Sequence, residues 1–475
     1  MHIHRITSFE SLRTALISGE TTVQEATESS LSALDAAKEL QAVRHTRLDE
    51  VRREAAEADR VLAREGERAW VTRPLLGLTL TVKELTAVAG LPHSRGREAP
   101  AEVARQDAPA VHRLRAAGAL ILGSTTSPQG GWCGAGLNGN RPPTANPWNT
   151  TLTAGGSSGG AAAAVAVGFG LAAIGTDGAG SVRIPASFCG VVGHKPTFGV
   201  VPYVPVSPEG LSHLGTLTST VDDAAALVRA MAGPDPADPA GKGLPGQAAP
   251  GVPSADAPLR IAWTPSLGMA SPDPAVLAAC QAAVDRLADA GHLVEQVDPP
   301  AADGYPALAT ILATEEARTA DPDDDDRLHP VHREVVRWGR SLTAVDLATA
   351  IGERARLRVA YDALLEAFDV LVTPTVPVLP FDVGLPAPAD FLDQGATRWL
   401  AWTPNTYTFN LSRQPATTVP VGRTATGLPI GLQVVAARHR DHAALRIASE
   451  AHGAAVAAAA ALPLPAFDVG ASIGH

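Results

Sequence analysis

Two glycine-rich turns that each deliver a serine, joined by a helix-length run of small residues, set the strongest constraint on this chain. The stretch Ala154–Thr197 reads AGGSSGGAAAAVAVGFGLAAIGTDGAGSVRIPASFCGVVGHKPT. Glycine permits backbone conformations closed to other residues and lets neighbouring groups approach closely. Between the turns, Gly159–Gly168 contains only Gly, Ala and Val and predicts a tightly packed helix, with Leu171–Ile174 a strand after it. One such turn is an ordinary loop. Two, joined by a compact helix, are harder to account for as loops and mark a site.

The rest of the chain alternates strand and helix patterns, which points to an α/β fold. Residues 8–65 read as helices, with Thr21 or Thr22 capping a segment to about Leu40 and a charged helix from about Leu48. Leu75–Val82 is a short apolar, β-branched run that predicts a buried strand, with Lys83 at its end. Ala119–Gly123 predicts another strand after a helix over Val111–Ala117. Residues 124–160 are rich in Gly, Asn, Pro, Ser and Thr, and a loop-like stretch of that length usually carries function or is disordered. Later come a strand at Leu259–Trp263, a helix at Pro274–Ala290, a strand at Leu293–Val297 and helices over about 306–367. Val370–Thr373 and Ile430–Val434 predict strands, and Asp441–Ala457 a closing helix. Only 4% of residues are aromatic while alanine is abundant, so packing must rest on small and aliphatic side chains.

Several functions are disfavoured. A formal net charge of −11 with no basic run argues against a nucleic-acid partner. The cysteines Cys133, Cys189 and Cys280 match neither a disulfide framework nor a zinc site and fit a reducing compartment. The N-terminus lacks a signal-peptide pattern, and no apolar run is long enough to span a membrane, so a cytoplasmic protein is expected. Gly134–Gly139 satisfies G-x-G-x-x-G without the strand and helix that a dinucleotide site needs, and Gly155–Gly159 satisfies G-x-S-x-G after residues that read as a poor strand. The Asp323–Asp326 run reads as a solvated acidic loop.

The sequence is similar to the amidase signature family. The likeness rests on GGSSGG at 155–160 and GTDGAGSVRIPASFCGVVG at 175–193. It extends to Lys83 in LTVKEL, to Asn146-Pro147-Trp148, to Thr218–Ala224, to Thr373-Pro374-Thr375 and to Asn410–Leu432. The resemblance implies a central mixed, twisted β-sheet covered on both faces by α-helices, as one domain over 1–475. Within it, 1–68 would be an N-terminal helical segment, 70–235 the core with the catalytic groups, 233–257 a Pro/Gly-rich surface connection and 258–460 the remainder of the α/β core.

The resemblance also implies a catalytic triad: Ser181 as nucleophile, Ser157 after a cis peptide bond as relay, and Lys83 as base. Ser157 rather than Ser158 stands at the implied separation from Ser181. The chemistry is reasonable in its own terms. A serine hydroxyl is a poor nucleophile until a base takes its proton. A lysine can be that base only when neutral, which burial at the end of an apolar strand favours. The backbone N–H groups of Gly178, Ala179, Gly180 and Ser181 are the candidate oxyanion donors, one such donor typically contributing about 3–4 kcal/mol. Ala179 stands where many relatives carry glycine, and it excludes a comfortable positive φ.

Asp177 and Arg183 read as an ion pair bracing the nucleophile turn, with substrate binding the alternative. Ser158 either bonds within the triad or caps the following helix. Lys195 reads as a packing or salt-bridge residue and Cys189 as a core residue. The family analogy places the backbone near Gly131 at the acyl site, where Ser127–Trp132 departs from the usual Pro-Glu-Phe pattern; Trp132, Trp338, Trp399 and Trp402 are candidate wall residues, with core packing the alternative. The expectation is a hydrolase of linear amides, taking a small-molecule amide or hydrazide with an apolar or aromatic acyl group. No cofactor or metal is implied, and a homodimer is left open. A glutaminase-type subunit of a tRNA-dependent amidotransferase is the alternative, although no acid lies near Thr403 to hold an α-amino group. A non-catalytic binding member is the other.

Overall fold

In a computed structural model, the structure describes residues 6–97, 101–139, 141–241, 257–267, 271–321 and 326–458. Its strands, in chain order, are β1 (Val43–Thr46), β2 (Thr79–Lys83), β3 (Leu120–Thr125), β4 (Ala145–Asn146), β5 (Asn149–Thr153), β6 (Ala172–Asp177) and β7 (Val192–Lys195). They continue with β8 (His213–Thr218), β9 (Arg260–Trp263), β10 (Leu293–Gln296), β11 (Val370–Pro374), β12 (Ala416–Arg423) and β13 (Pro429–Ala436). All but the β4–β5 hairpin join one 11-stranded sheet in the order β1-β3-β2-β6-β8-β7-β12-β13-β11-β9-β10. The sheet is mixed: β2 pairs in parallel with both β3 and β6, whereas β6, β8, β7, β12 and β13 run antiparallel in succession.

Local chemistry fixes the flanking helices. Ser8 and Thr22 each accept a hydrogen bond from the third residue of the helix they begin, and the third residue's side chain answers in a reciprocal capping box. Thr22 is thus the cap of the pair Thr21/Thr22. The helix Val23–Ser32 stops at Ala33, and a separate short helix, Leu34–Glu39, follows. These helices and Leu48–Glu65 bury an apolar face against β2 and β3. Helices Val221–Met231, Pro274–Asp289 and Asp441–Ala458 pack with β9 and β11–β13. The helix Gly159–Val167 is buried on every side, as its composition demands, with Ala161, Ala162 and Val165 packed among Ala173, Val182, Ala186 and Leu217. A core this close leaves no room for larger side chains.

Four strands of the main sheet are not evident in the sequence. β1 is a half-buried edge strand of only four residues. β7 and β8 carry polar residues such as His194, Lys195 and Thr216 that are nonetheless fully buried. β12 contains Pro420, an unusual guest inside a sheet, and the register shifts between Pro420 and Gly422 where a bulge accommodates it. Of the 233–257 connection, residues 242–256 lie outside the described residues, as do 322–325 of the acidic loop.

Candidate active site

Lys83 ends β2 with its side chain fully buried. Its Nζ donates to Ser157 Oγ at 2.7 Å and to Thr176 Oγ1 at 2.7 Å. Burial disfavours the ammonium and pulls the amine from 10.5 to about 7, although the carboxylates of Asp177 and Glu84 oppose the shift. A lysine in this setting has an accessible neutral form near neutral pH.

Ser157 follows a cis peptide bond from Gly156. Glycine is required at 156, because a Cβ there would lie 2.3 Å from the Ala135 carbonyl oxygen. Ser158 does not cap the helix with its side chain. Its N–H instead donates to the Ser181 carbonyl at 3.0 Å and its Oγ to the Thr176 carbonyl at 3.1 Å. Ser158 therefore ties the two serine turns together. Ser181 and Ser157 line one cavity of about 600 Å³ with Thr176, Gly178 and Ala179. No hydrogen bond joins the two serine hydroxyls.

The turn before Ser181 is held from behind. Asp177 accepts the Gly180 N–H at 2.8 Å and the Val182 N–H at 3.2 Å. Arg183 meets the same carboxylate with Nε and Nη2, each at 2.9 Å, and both side chains are fully buried. Burial alone would raise the Asp177 carboxyl, but the guanidinium holds it well below the usual carboxylate range. Arg183 also donates to the Thr406 carbonyl, Gln433 Oε1 and Asn410 Oδ1. Neither residue lines the cavity. The pair is a brace, not a substrate contact.

One expected oxyanion donor needs correction. The Gly180 N–H is committed to Asp177, so it cannot also face a substrate oxygen. The N–H groups of Gly178, Ala179 and Ser181 carry no hydrogen bond to any described residue. Glycine at 180 serves another purpose: φ is +122°, and a Cβ would fall 2.3 Å from Thr406 Oγ1. Ala179 is not among the residues with positive φ, so its side chain is tolerated.

On the facing wall, Gly131 has φ +85°, and a Cβ there would stand 3.1 Å from Ser157 Oγ. Trp132 lines the cavity and stacks on His332 at 4.8 Å with an interplanar angle of 2°. His332 in turn meets Glu316 at 2.8 Å. Of the other tryptophans, Trp399 and Trp402 are buried and Trp338 packs against the same core, and none of the three lines the cavity. Trp402 packs beside Gly134 and Phe188. Lys195 is also remote from the cavity: burial and the Arg183 charge pull its amine to about 7, and it contacts His213 and the Gln414 and Pro196 carbonyls. Cys189 is a core residue whose thiol burial pushes up.

Sequence reasoning missed Thr176, Thr406 and Gln433. Thr176 lies inside the glycine-rich motif and was legible there as a buried hydroxyl beside Asp177. Thr406 and Gln433 are more than two hundred residues from the turn they support, with no local signal. Among the described residues no cluster of three His, Cys, Asp or Glu side chains is placed to hold a metal ion, and no helix is long and apolar enough to cross a membrane.

An α/β sheet carrying a buried lysine against two serine turns defines the setting in which relatives can be compared. The Amidase family profile matches residues 25–445, and the chain belongs to that family. An acylamidase of Rhodococcus erythropolis is 37% identical over 422 residues, covering 84% of this chain and 85% of its own length. A 6-aminohexanoate-cyclic-dimer hydrolase of Paenarthrobacter ureafaciens is 32% identical over 433 residues, covering 82% of this chain and 85% of its own. The solved structure of a 6-aminohexanoate cyclic dimer hydrolase superposes with a TM-score of 0.83 at 28% identity, covering 94% of this chain and 96% of that one. The chain is accordingly an amide-hydrolysing enzyme.

Proposed function

We propose that the enzyme cleaves the C–N bond of a small-molecule amide or hydrazide with an apolar or aromatic acyl group, through an acyl-enzyme on Ser181. The observation that carries this reading is the 2.7 Å contact between Ser157 Oγ and a fully buried lysine amine, on the cavity that Ser181 also lines. Neutral Lys83 draws the proton of Ser157, whose oxygen takes that of Ser181 as its hydroxyl attacks the carbonyl carbon. The oxyanion forms opposite the Gly178, Ala179 and Ser181 N–H groups, which need no reorganisation to receive it. The relay returns a proton to the departing nitrogen, and water then releases the acid by the same path in reverse.

Leu85, Trp132, Ile184 and Leu400 give the cavity an apolar side that suits such an acyl group. The acylamidase relative supports the same class. A glutaminase component of an amidotransferase would need a carboxylate for an α-ammonium group. The expected position is Thr403, which is buried and spends its hydroxyl on the Leu400 carbonyl.

The test is a panel of aryl, aliphatic and fatty amides, hydrazides and glutamine, with hydroxylamine present to trap acyl groups. Turnover of one class with hydroxamate formation, abolished in Ser181→Ala and Lys83→Ala, supports the reading. Turnover unchanged in either variant sinks it.

A further inference from the structure

The cavity also carries charge, and among the described residues that line it all but one of the charged side chains are engaged. Glu316 meets His332, Glu315 meets Arg318 at 2.8 Å, and Glu209 accepts the hydroxyls of Ser207 and Ser212. Arg97 donates to the Thr319 carbonyl at 3.0 Å. Arg95 lines the same cavity, half-buried, yet its guanidinium makes neither a hydrogen bond nor an ion pair with any described residue. A guanidinium offers five donors in a planar fork that matches a carboxylate, and partial burial strengthens such a pair.

The backbone adds an independent observation. Arg95 has φ +52°, in the left-handed region that a long side chain rarely adopts. Structure that holds such a residue in place commonly does so at a ligand site. Here the holding contacts are evident. The Arg95 carbonyl accepts the Gly130 N–H at 2.9 Å. Gly96 lies so close to the Pro128 carbonyl oxygen that a Cβ would sit 2.6 Å away. Arg95 is therefore fixed to the loop that presents Gly131 to Ser157, and its charge reaches Lys83.

We propose that Arg95 is a specificity-determining residue that receives a carboxylate on the substrate, so that the enzyme selects amides bearing an anionic group beside the apolar acyl portion. This rests on the proposed acyl-enzyme reading of the same cavity. A ligand carboxylate would supply Arg95 with the counter-ion that no described residue provides. The cavity volume of about 600 Å³ is ample for both parts of such a molecule.

The probes are N-succinyl para-nitroanilide and its neutral succinamide analogue, which differ only in carboxylate against carboxamide. Binding is measured calorimetrically to Ser181→Ala protein, alone and combined with Arg95→Gln or Arg95→Lys, and hydrolysis is followed with Ser181 intact. The expected result is at least about tenfold tighter binding of the acid than of the neutral analogue. That preference should be lost in Arg95→Gln and partly kept in Arg95→Lys, and the ratio of kcat/KM values for the two probes should follow it. Equal affinity for the two probes, binding of neither, or a preference unchanged in Arg95→Gln overturns the proposal. Hydrolysis that survives Ser181→Ala would instead overturn the acyl-enzyme reading, while the binding comparison still decides the role of Arg95.

Discussion

Lys83 Nζ is as close to Thr176 Oγ1 as to Ser157 Oγ, at 2.7 Å in each case. A neutral amine has two N–H bonds to give and one lone pair to offer. Donation to Thr176 orients the amine so that its lone pair can face the Ser157 hydroxyl. Thr176→Val keeps the shape and removes that partner. Its kcat should fall about tenfold with KM nearly unchanged, the loss of one hydrogen bond felt mainly in the transition state. Steady-state kinetics on the best substrate of the panel checks this.

The lysine also predicts a pH profile. Burial lowers its amine to about 7, and in the proposed mechanism it acts as base only when deprotonated. The value of kcat/KM should therefore rise through about pH 7 and be lost on acidification below it, as the ammonium forms. Lys83→Arg places a permanent cation in the same space. Its activity should be abolished across the range, and an acid limb that survives in residual activity would assign the titration to another group.

Removing Arg183 leaves the Asp177 carboxylate buried without its partner. Arg183→Met should destabilise the fold by about 3–5 kcal/mol in urea unfolding. The pH dependence has a definite sign. Asp177 is held below its unfolded value, so its stabilising contribution is complete above the ordinary aspartate range and is lost as pH falls through the lower, folded value. The variant should lack this part of the acid sensitivity.

Gly131 separates activity from stability. Alanine there would bring its Cβ to 3.0 Å from Leu85 Cδ1 and 3.1 Å from Ser157 Oγ, with φ at +85°. Displacing Ser157, the proposed relay, should lower kcat/KM about a hundredfold. Holding an alanine at this positive φ should cost about 1–2 kcal/mol, so thermal unfolding would shift little by comparison.

What the sequence reveals here depends on how local each cause is. The helix Gly159–Val167, the strand ending in Lys83 and the strand–helix–strand unit from Arg260 to Gln296 follow from composition and periodicity within short windows. β12 was hidden because its proline is tolerated only through a bulge that pairing with β13 creates. In the site, Lys83, Ser157 and Ser181 are legible from motifs. The engagement of Gly180 by Asp177 is not, since it depends on which way a peptide plane turns. Trp399 and Trp402 resemble Trp132 in sequence, and only packing tells a wall from a core.

The Asp177–Arg183 brace has a consequence for the life of the nascent chain. Thr406, Asn410 and Gln433, which complete its hydrogen bonds, leave the ribosome more than two hundred residues after the Ser181 turn they help to hold. Contacts of such long sequence separation form late. While the first half is being made, both serines and the lysine already exist, but the buried arginine lacks the acceptors that secure the turn. The turn that carries Ser181 can therefore gain its full set of supporting hydrogen bonds only after β13, which holds Gln433, has been made.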